Sequence, residues 1–213
     1  MALKLYFLRH GQTELSRDNM FCGSGLNPEL TPEGHEMAQA FADAYSKTNW
    51  QAVYVSPLQR AVATAEPLCH ALNLPMHKRD GLVEIGYGAW EGQSVEKVSQ
   101  QFHDDYLRWT ADPAWNAPTG GESAVTVSRR AIEVVEEIQR RHTDGNVLIV
   151  SHKATIRIAL CALMGIDVGR FRFRLGCPVG SVSVIEFAEH GPLLQTLANR
   201  EHQNERLRSL PGT

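Results

Sequence analysis

The chain has 213 residues, of which 43% are hydrophobic and 21% are charged, and its formal net charge is −3 at pH 7. This length and composition are typical of a single folded α/β domain. The charge speaks against nucleic acid or an anionic membrane as the main partner, because both call for a strong basic excess. No apolar run approaches the roughly 18 residues of a membrane span, and the first residues lack the features of a signal peptide.

The cysteines and histidines do not form a metal-binding pattern. The four cysteines are scattered without a CxxC pair, and the nine histidines show no HxH or HxxxH spacing. We therefore expect free thiols in a reducing cytoplasm, with no metal ion and no cofactor.

The first predicted element is a short buried strand over Leu5–Leu8, which Gly11 ends. Arg9 and His10 follow the strand, and in an open α/β sheet ligands bind beyond the carboxyl ends of the strands. A guanidinium can grip a phosphate, and a neutral imidazole beside it can attack phosphorus or transfer a proton.

A loop and a helix are predicted between the first two strands. Residues 16–29 are rich in Gly, Asn, Ser and Pro, which is typical of a loop. Thr31 and Pro32 supply an N-cap hydroxyl and a proline at the first helical position. The second strand is predicted at Ala52–Val55.

The next helix is predicted to carry Arg60 one turn from its start. Pro67 lies inside this helix, where a proline kinks or splits the backbone. Residues 74–80 should contain a short third strand. The segment Leu82–Gly92 contains Glu84 among three glycines and a second carboxylate, and this composition indicates a shaped loop.

The rest of the chain is expected to add a helical excursion, a long helix and a central strand. The excursion covers about 95–120 and the helix about 123–141. Val147–Val150 is a continuous apolar run, as expected of a central parallel strand, and it ends in Ser151 and His152.

Two C-terminal strands, Val182–Phe187 and Leu193–Leu197, are predicted to pair as a hairpin. The hairpin would leave a sheet edge where a homodimer could form. The polar tail, about 200–213, is expected to be partly disordered or to fold over the pocket.

Four of these signals meet at one sheet edge if the strands run parallel. They are Arg9 with His10, then Arg60, Glu84 and His152. Two guanidiniums, two imidazoles and a carboxyl around one point have the composition of a phosphate pocket with a proton donor.

Across nearly its whole length the chain resembles the histidine phosphatase superfamily, which has the phosphoglycerate mutase-like fold. The motifs that carry the resemblance are Leu8-Arg9-His10-Gly11, Leu30-Thr31-Pro32-Glu33-Gly34, Ser56-Pro57-Leu58-Gln59-Arg60-Ala61, Glu84 with Gly88-Ala89-Trp90-Glu91-Gly92, Gly121-Glu122-Ser123 and Val150-Ser151-His152. The resemblance implies a three-layer α/β/α fold with a mostly parallel central sheet, formed by residues 1–213 as one domain.

The resemblance also implies a metal-independent transfer in two steps on a small phosphorylated metabolite. His10 would attack the phosphorus of a phosphomonoester while Glu84 protonates the leaving alcohol, and Glu84 would then activate water. Arg9, Arg60 and His152 would hold the phosphoryl oxygens. The helix after His152 is expected to add backbone N–H donors to them.

Other residues are candidates for substrate binding. Ser16 stands where many members have Asn, so that its contact would be weaker or supplied by Asn19, and Lys153 stands where many have Gly. The candidate substrate-binding residues are Thr13, Ser16, Asn19, Cys22, Gly23, Glu122, Lys153 and His202.

The segment after Glu84 has the form usual in phosphatases of the superfamily rather than in the mutases. Residues 102–109, 120–123 and 161–167 are similar to metal-independent phosphoserine phosphatases, which favours L-phosphoserine, with Glu122 or a tail group meeting its ammonium. The alternatives are a phosphoglycerate mutase, an α-ribazole phosphatase, a broad-specificity sugar phosphatase and a non-catalytic phospho-ligand binder.

Several conspicuous residues are expected to be structural. Glu91 should close its loop through hydrogen bonds, and Trp109 and Trp115 should pack within the excursion. The pairs Arg129-Arg130 and Arg140-Arg141 should lie on a solvated helix face.

Overall fold

A six-stranded sheet forms the centre of the computed structural model, which describes residues 2–212. The strands are β1 Leu3–Arg9, β2 Trp50–Val55, β3 Met76–Lys78, β4 Gly145–Ser151, β5 Val182–Ala188 and β6 Gly191–Asn199. The helices are α1 Glu14–Arg17, α2 Pro32–Tyr45, α3 Gln59–Leu72, α4 Val95–Gln101, α5 His103–Ala111, α6 Ala124–Arg141, α7 Lys153–Leu163, α8 Phe171–Arg174 and α9 Glu205–Ser209.

The order across the sheet is β3-β2-β4-β1-β5-β6. The first four of these strands run parallel, and β5 and β6 extend the sheet as an antiparallel hairpin. The predicted α/β class and mostly parallel sheet are therefore confirmed. Among residues 2–212, no helix is long and apolar enough to cross a membrane.

Alternating side chains of the central strands form two cores, one on each face of the sheet. Phe7 and Ile149 belong to the core that includes buried residues of α6 and α7. Leu8 and Val150 belong to the core that includes buried residues of α2 and α3. Burial on both faces explains the continuous apolar run of β4 and produces the three-layer architecture.

The strand register brings three strand ends together. Arg9 is paired with Ser151 across β1 and β4, and Val55 with Val150 across β2 and β4. His10 N–H donates to the Ser151 carbonyl at 3.0 Å, which continues the ladder past the end of β1. The segments that follow β1, β2 and β4 therefore start from one edge of the sheet.

The N-terminal half differs in detail from the sequence predictions. Residues 16–29 were predicted to be a loop, but α1 reaches into them because Thr13 and Ser16 form a capping box. Pro67 does not split α3, whose buried residues fix it by packing. Arg60 is the second residue of α3 rather than a full turn in, and β3 covers only three residues.

The predicted excursion contains α4 and α5, which pack beside the site edge of the sheet. Trp109 of α5 lies in an aromatic core with Phe21 and Trp90, at ring distances of 5.9 and 5.3 Å. Trp109 therefore packs as predicted. The prediction that Trp115 also packs within the excursion is wrong, because Trp115 is 75% exposed.

The described part of the tail is ordered on the fold. Gln203 donates to the carbonyls of Val179 and Gly180, and Leu207 of α9 is buried against Met37. Farther along, the Gln12 side chain donates to the Pro211 carbonyl at 2.6 Å.

Candidate active site

A cavity of about 130 Å³ opens beyond the ends of β1 and β4. It contains eight of the predicted site residues and is closed on one side by aromatic rings of the excursion and its neighbours. The residues that line it are Arg9, His10, Thr13, Ser16, Asn19, Met20, Phe21, Cys22, Glu84, Tyr87, Val95, Trp109, Lys153, Ala154, Arg157, Phe171 and Arg172.

His10 is held as a nucleophile requires. Its Nδ1 lies 2.7 Å from the Gly11 carbonyl oxygen, and because a carbonyl only accepts, Nδ1 carries the proton and donates it. Nε2 therefore keeps its lone pair. Burial, followed by the charges of Arg60 and Arg9, holds the pKa of His10 well below its usual value, so that the ring is neutral at pH 7.

Glu84 lies at the first turn of α7. Its Oε2 accepts from the Ala154 N–H at 3.1 Å, and its Oε1 accepts from the N–H and the hydroxyl of Thr155, each at 3.1 Å, and from the Ile85 N–H at 2.9 Å. The start of α7 was predicted to donate backbone N–H groups to the phosphoryl group. This is wrong for the N–H groups of Ala154 and Thr155, which donate to Glu84. The helix end instead fixes the carboxyl that borders the cavity.

Arg130 holds the loop that carries Glu84. Its guanidinium donates to the carbonyls of Gly81, Val83 and Glu84 at 2.7–3.1 Å, and forms a two-pronged ion pair with Glu122. The prediction of a solvated face is thus wrong for Arg130, whose side chain is only 19% exposed. The other arginines of these pairs, Arg129, Arg140 and Arg141, are exposed.

Glu122 does not line the cavity. Both carboxylate oxygens bind Arg130, and Oε2 also accepts from the Gly86 N–H at 2.9 Å. The expectation that Glu122 meets a substrate ammonium is therefore wrong, because its acceptors are used to fix the Glu84 loop. Glu91 closes its own loop as predicted, accepting from the N–H groups of Tyr87 and Gly25.

Arg60 and His152 form a buried layer behind His10. Arg60 donates through Nε to His152 Nδ1 at 3.2 Å and through its terminal nitrogens to the carbonyls of Gly23 and Leu26. Since His152 Nδ1 accepts, Nε2 carries the proton and donates to the Ser56 hydroxyl at 2.7 Å. The His10 and His152 ring centroids are 5.1 Å apart, but both nitrogens of His152 are used within the protein.

Arg9 is a buried cation in the wall of the cavity. One terminal nitrogen donates to the Cys177 carbonyl at 2.7 Å, and the side chain is buried. Burial lowers the pKa of Arg9 to about 10, a value at which the guanidinium still carries its full charge at pH 7.

The predicted substrate-binding residues of the loop after His10 differ in whether they line the cavity and in which of their polar groups are already used. Ser16 lines the cavity, but its hydroxyl accepts from the Thr13 N–H and donates to the Thr13 carbonyl. Asn19 lines the cavity with a left-handed backbone (φ 55°), and Cys22 lines it with a thiol whose pKa is raised by burial. Gly23 lies behind the wall, where its carbonyl accepts from Arg60.

His202 lies away from the site. Its ring packs edge-on against Phe41 and Tyr45, at centroid distances of 5.7 and 5.9 Å, and it borders a separate groove with Lys4 and Tyr6. His202 does not line the cavity, so the prediction of substrate binding by His202 is wrong.

Two cavity arginines were not predicted. Arg157 is buried, donates through Nε to the Phe171 carbonyl at 3.0 Å and lies over the Phe171 ring. Arg172 of α8 lies over Trp109, with its guanidinium carbon 3.9 Å from the ring centroid. The spacing of Lys153 and Arg157, four residues apart on the helix that follows His152, was a signal that could have identified Arg157.

Comparisons with known proteins agree with this geometry. The family described as histidine phosphatase superfamily (branch 1) matches residues 5–200. Phosphoserine phosphatase 1 of Hydrogenobacter thermophilus is 34% identical over 203 residues, covering 95% of this chain and 95% of that protein.

Solved structures are also similar. The α-ribazole phosphatase of Shigella flexneri has a TM-score of 0.84 at 26% identity, covering 95% of this chain and 99% of that one. A phosphoserine phosphatase variant of Entamoeba histolytica in complex with phosphoserine has a TM-score of 0.82 at 25% identity, covering 95% of this chain and 100% of that one. With the arginine-histidine pair after β1 and the glutamate and second histidine at the same edge, the chain belongs to the histidine phosphatase superfamily and is a phosphatase.

Proposed function

We propose that the enzyme hydrolyses L-phosphoserine through a phosphohistidine formed on His10. The observation that carries the proposal is the hydrogen bond from Nδ1 of His10 to the Gly11 carbonyl. It leaves the Nε2 lone pair of a neutral ring in a cavity that also contains Glu84 and Arg9. These are the nucleophile, the proton carrier and the counter-charge that phosphoryl transfer requires.

In the first step Nε2 of His10 attacks phosphorus, the N–P bond forms and the ester P–O bond breaks. Glu84, in its protonated form, gives its proton to the departing alkoxide. In the second step a water attacks the phosphohistidine, Glu84 takes a proton from that water, and the P–N bond breaks to restore His10.

The cations around the nucleophile stabilise the charge that develops on the phosphoryl oxygens. Arg9 lines the cavity and provides this charge directly. Arg60 acts from the layer behind His10, where its charge also helps to keep the His10 ring neutral, and the neutral His152 ring accepts from Arg60 Nε.

Cavity size favours a substrate with few atoms. The volume of about 130 Å³ is below the roughly 300 Å³ at which pockets for drug-sized ligands begin. Phe21, Tyr87 and Trp109 wall off further space. A three-carbon phosphate such as L-phosphoserine suits this volume better than a nucleoside-like α-ribazole phosphate, and the Hydrogenobacter relative carries the name phosphoserine phosphatase.

A substrate panel tests the proposal. Phosphate release is measured in EDTA from L-phosphoserine, 3-phosphoglycerate, glucose 6-phosphate and α-ribazole phosphate, with wild type, His10→Ala and the exposed-site control His190→Ala. We expect kcat/KM for L-phosphoserine at least about tenfold above the larger esters, a control like wild type, and no turnover by His10→Ala. Preference for a larger ester, or an active His10→Ala, would contradict the proposal.

The proposed mechanism uses no metal ion, since His10 supplies the nucleophile and Glu84 the proton. Among residues 2–212 no cluster of side chains is arranged to hold one. Activity is therefore expected to be unchanged by EDTA, and loss of activity on chelation would contradict this part of the proposal.

The proposed setting is a cytoplasmic homodimer. All four cysteines are free thiols, as in a reducing compartment. The edge strand β6 carries the exposed side chains of Leu193 and Leu197, which a partner copy would cover. Sedimentation of wild type and Leu193→Lys tests the dimer: the variant should be monomeric, and a monomeric wild type would refute it.

A further inference from the structure

Positive charge in the catalytic cavity exceeds what a phosphate group needs. The described lining residues include four cations and a single carboxyl group. The cations are Arg9, Lys153, Arg157 and Arg172, and the carboxyl group is that of Glu84. Glu84 carries its proton when the ester binds, so a phosphate dianion balances two of the four cations. The positive charge that remains is stabilised when a further anionic group pairs with it.

Three of these cations border a second cavity as well. Lys153, Arg157 and Arg172 also line an adjoining cavity of about 270 Å³, which reaches Gly212 in the tail. Arg9 and His10 do not border that second space. The three side chains, here called the cation cluster, therefore face ligand atoms beyond the phosphoryl group.

The two arginines of the cation cluster are oriented before any ligand binds. Arg157 is fixed by its Nε bond to the Phe171 carbonyl and by the ring beneath it. Arg172 is stacked on Trp109, and its buried Nη1 has no hydrogen-bond partner among residues 2–212. A fixed, unpaired guanidinium donor is complementary to an anionic oxygen of a ligand.

We propose that the cation cluster binds a second anionic group of the substrate, so that the enzyme selects phosphomonoesters that also carry a carboxylate. This inference rests on the proposed function and deepens it. A carboxylate or a second phosphate would present the same oxyanion chemistry to two guanidiniums. The small volume of the catalytic cavity favours the carboxylate of a three-carbon acid.

The amino group of the substrate has no carboxylate partner among the described lining residues. Glu84, the one carboxylate in the described lining, is assigned to proton transfer, and Glu122 is used by Arg130. Selectivity for the acid group should therefore exceed selectivity for the ammonium. 3-Phosphoglycerate should be accepted nearly as well as L-phosphoserine.

Matched substrates measure this selectivity directly. Phosphoethanolamine is L-phosphoserine without its carboxylate, and 1,3-propanediol bisphosphate lacks both the amine and the carboxylate and carries a second phosphate. We expect kcat/KM to fall at least about tenfold from L-phosphoserine to phosphoethanolamine, and to change less than about threefold to 3-phosphoglycerate. A bisphosphate that exceeds both acids would assign the cluster to a second phosphate, and equal rates for all four would overturn the proposal.

Variants link the effect to the cluster. Arg157→Gln and Arg172→Gln should each lower kcat/KM for L-phosphoserine about tenfold or more and leave phosphoethanolamine within about twofold. Arg172→Lys should recover part of the loss, and Arg174→Gln, on the exposed side of α8, should behave as wild type. Equal losses on both substrates would mean a structural role and would contradict the proposal.

A binding measurement separates this inference from the proposed hydrolysis. Calorimetry compares 2-amino-4-phosphonobutyrate with 3-aminopropylphosphonate, which lacks the carboxylate, on the wild-type protein. Tighter binding of the carboxylated phosphonate, by about tenfold or more, supports the cation cluster even if no ester is hydrolysed. Equal affinity for the two phosphonates would overturn the proposal that the cation cluster binds the carboxylate. The proposed phosphatase activity would then still be tested by the turnover assay.

Discussion

At the scale of single residues, Glu84 shows how the backbone N–H groups of a helix start can serve catalysis by holding a carboxyl group in place. Two backbone N–H groups of α7 and the Thr155 hydroxyl fix both carboxylate oxygens. The carboxyl that moves the proton therefore cannot rotate freely. Thr155 also donates to the Val83 carbonyl at 2.7 Å, so one hydroxyl ties the helix to the catalytic loop.

Thr155→Val tests this positioning role. The valine has nearly the same shape but removes the hydroxyl, so kcat should fall by about tenfold while KM changes little. Thr155→Ser should restore most of the rate and the wild-type pH profile. A higher KM with unchanged kcat, or a serine variant as slow as the valine variant, would assign Thr155 to substrate binding or to packing.

At the scale of elements, the part of the catalytic loop that carries Glu84 is held by an arginine of α6. The Arg130 guanidinium donates hydrogen bonds to three loop carbonyls and to the Glu122 carboxylate. Glu122 in turn accepts a hydrogen bond from the Gly86 N–H. Carbonyls that are buried without a donor are strongly destabilising. The glycine-rich loop therefore depends on one arginine of a neighbouring helix for its shape.

Arg130→Met should weaken both the fold and the reaction. We expect the free energy of unfolding to fall by roughly 2–4 kcal/mol, because several carbonyls and Glu122 lose their donor, and kcat to fall as the Glu84 loop loosens. Urea unfolding and steady-state kinetics measure the two effects. Arg129→Met, at an exposed neighbouring position, is the matched control, and similar behaviour of the two variants would contradict the account.

At the scale of the whole molecule, buried histidines make stability depend on pH. Burial holds the pKa values of His10 and His152 well below their usual range and lowers that of His202 to about 4. The unfolded chain takes up these protons near pH 6.5 and the folded chain does not. Stability is therefore greatest above pH 6.5 and is lost as the pH falls below it.

Acid unfolding tests this dependence. The free energy of unfolding should change by about 1.4 kcal/mol per pH unit for each proton that is taken up only on unfolding. His202→Phe keeps an aromatic ring beside Phe41 and Tyr45 and removes one such proton, so its stability should fall less steeply between pH 6.5 and 4.5. Phosphatase activity at pH 7.5 should be unchanged. Equal slopes for variant and wild type would refute the role of His202.

Much of the fold and of the site was predictable because the signals were local. Apolar runs identified the strands, and the polar residues that follow β1 and β4 marked the edge where they meet. The positions of Glu122, Arg130 and His202 were not predictable, because they depend on which long-range partner takes each donor or acceptor. Glu122 lies in the segment before α6 and Arg130 lies within that helix, and only the tertiary structure shows that both hold the Glu84 loop.

Trapping of the phosphoenzyme decides whether hydrolysis proceeds through His10. L-[³²P]phosphoserine is mixed with excess enzyme, quenched within milliseconds in alkaline detergent and analysed by peptide mapping, with His10→Ala and His190→Ala beside the wild type. We expect alkali-stable, acid-labile label on the His10 peptide of wild type and His190→Ala, and none in His10→Ala. Turnover without label, or label on another residue, would contradict it.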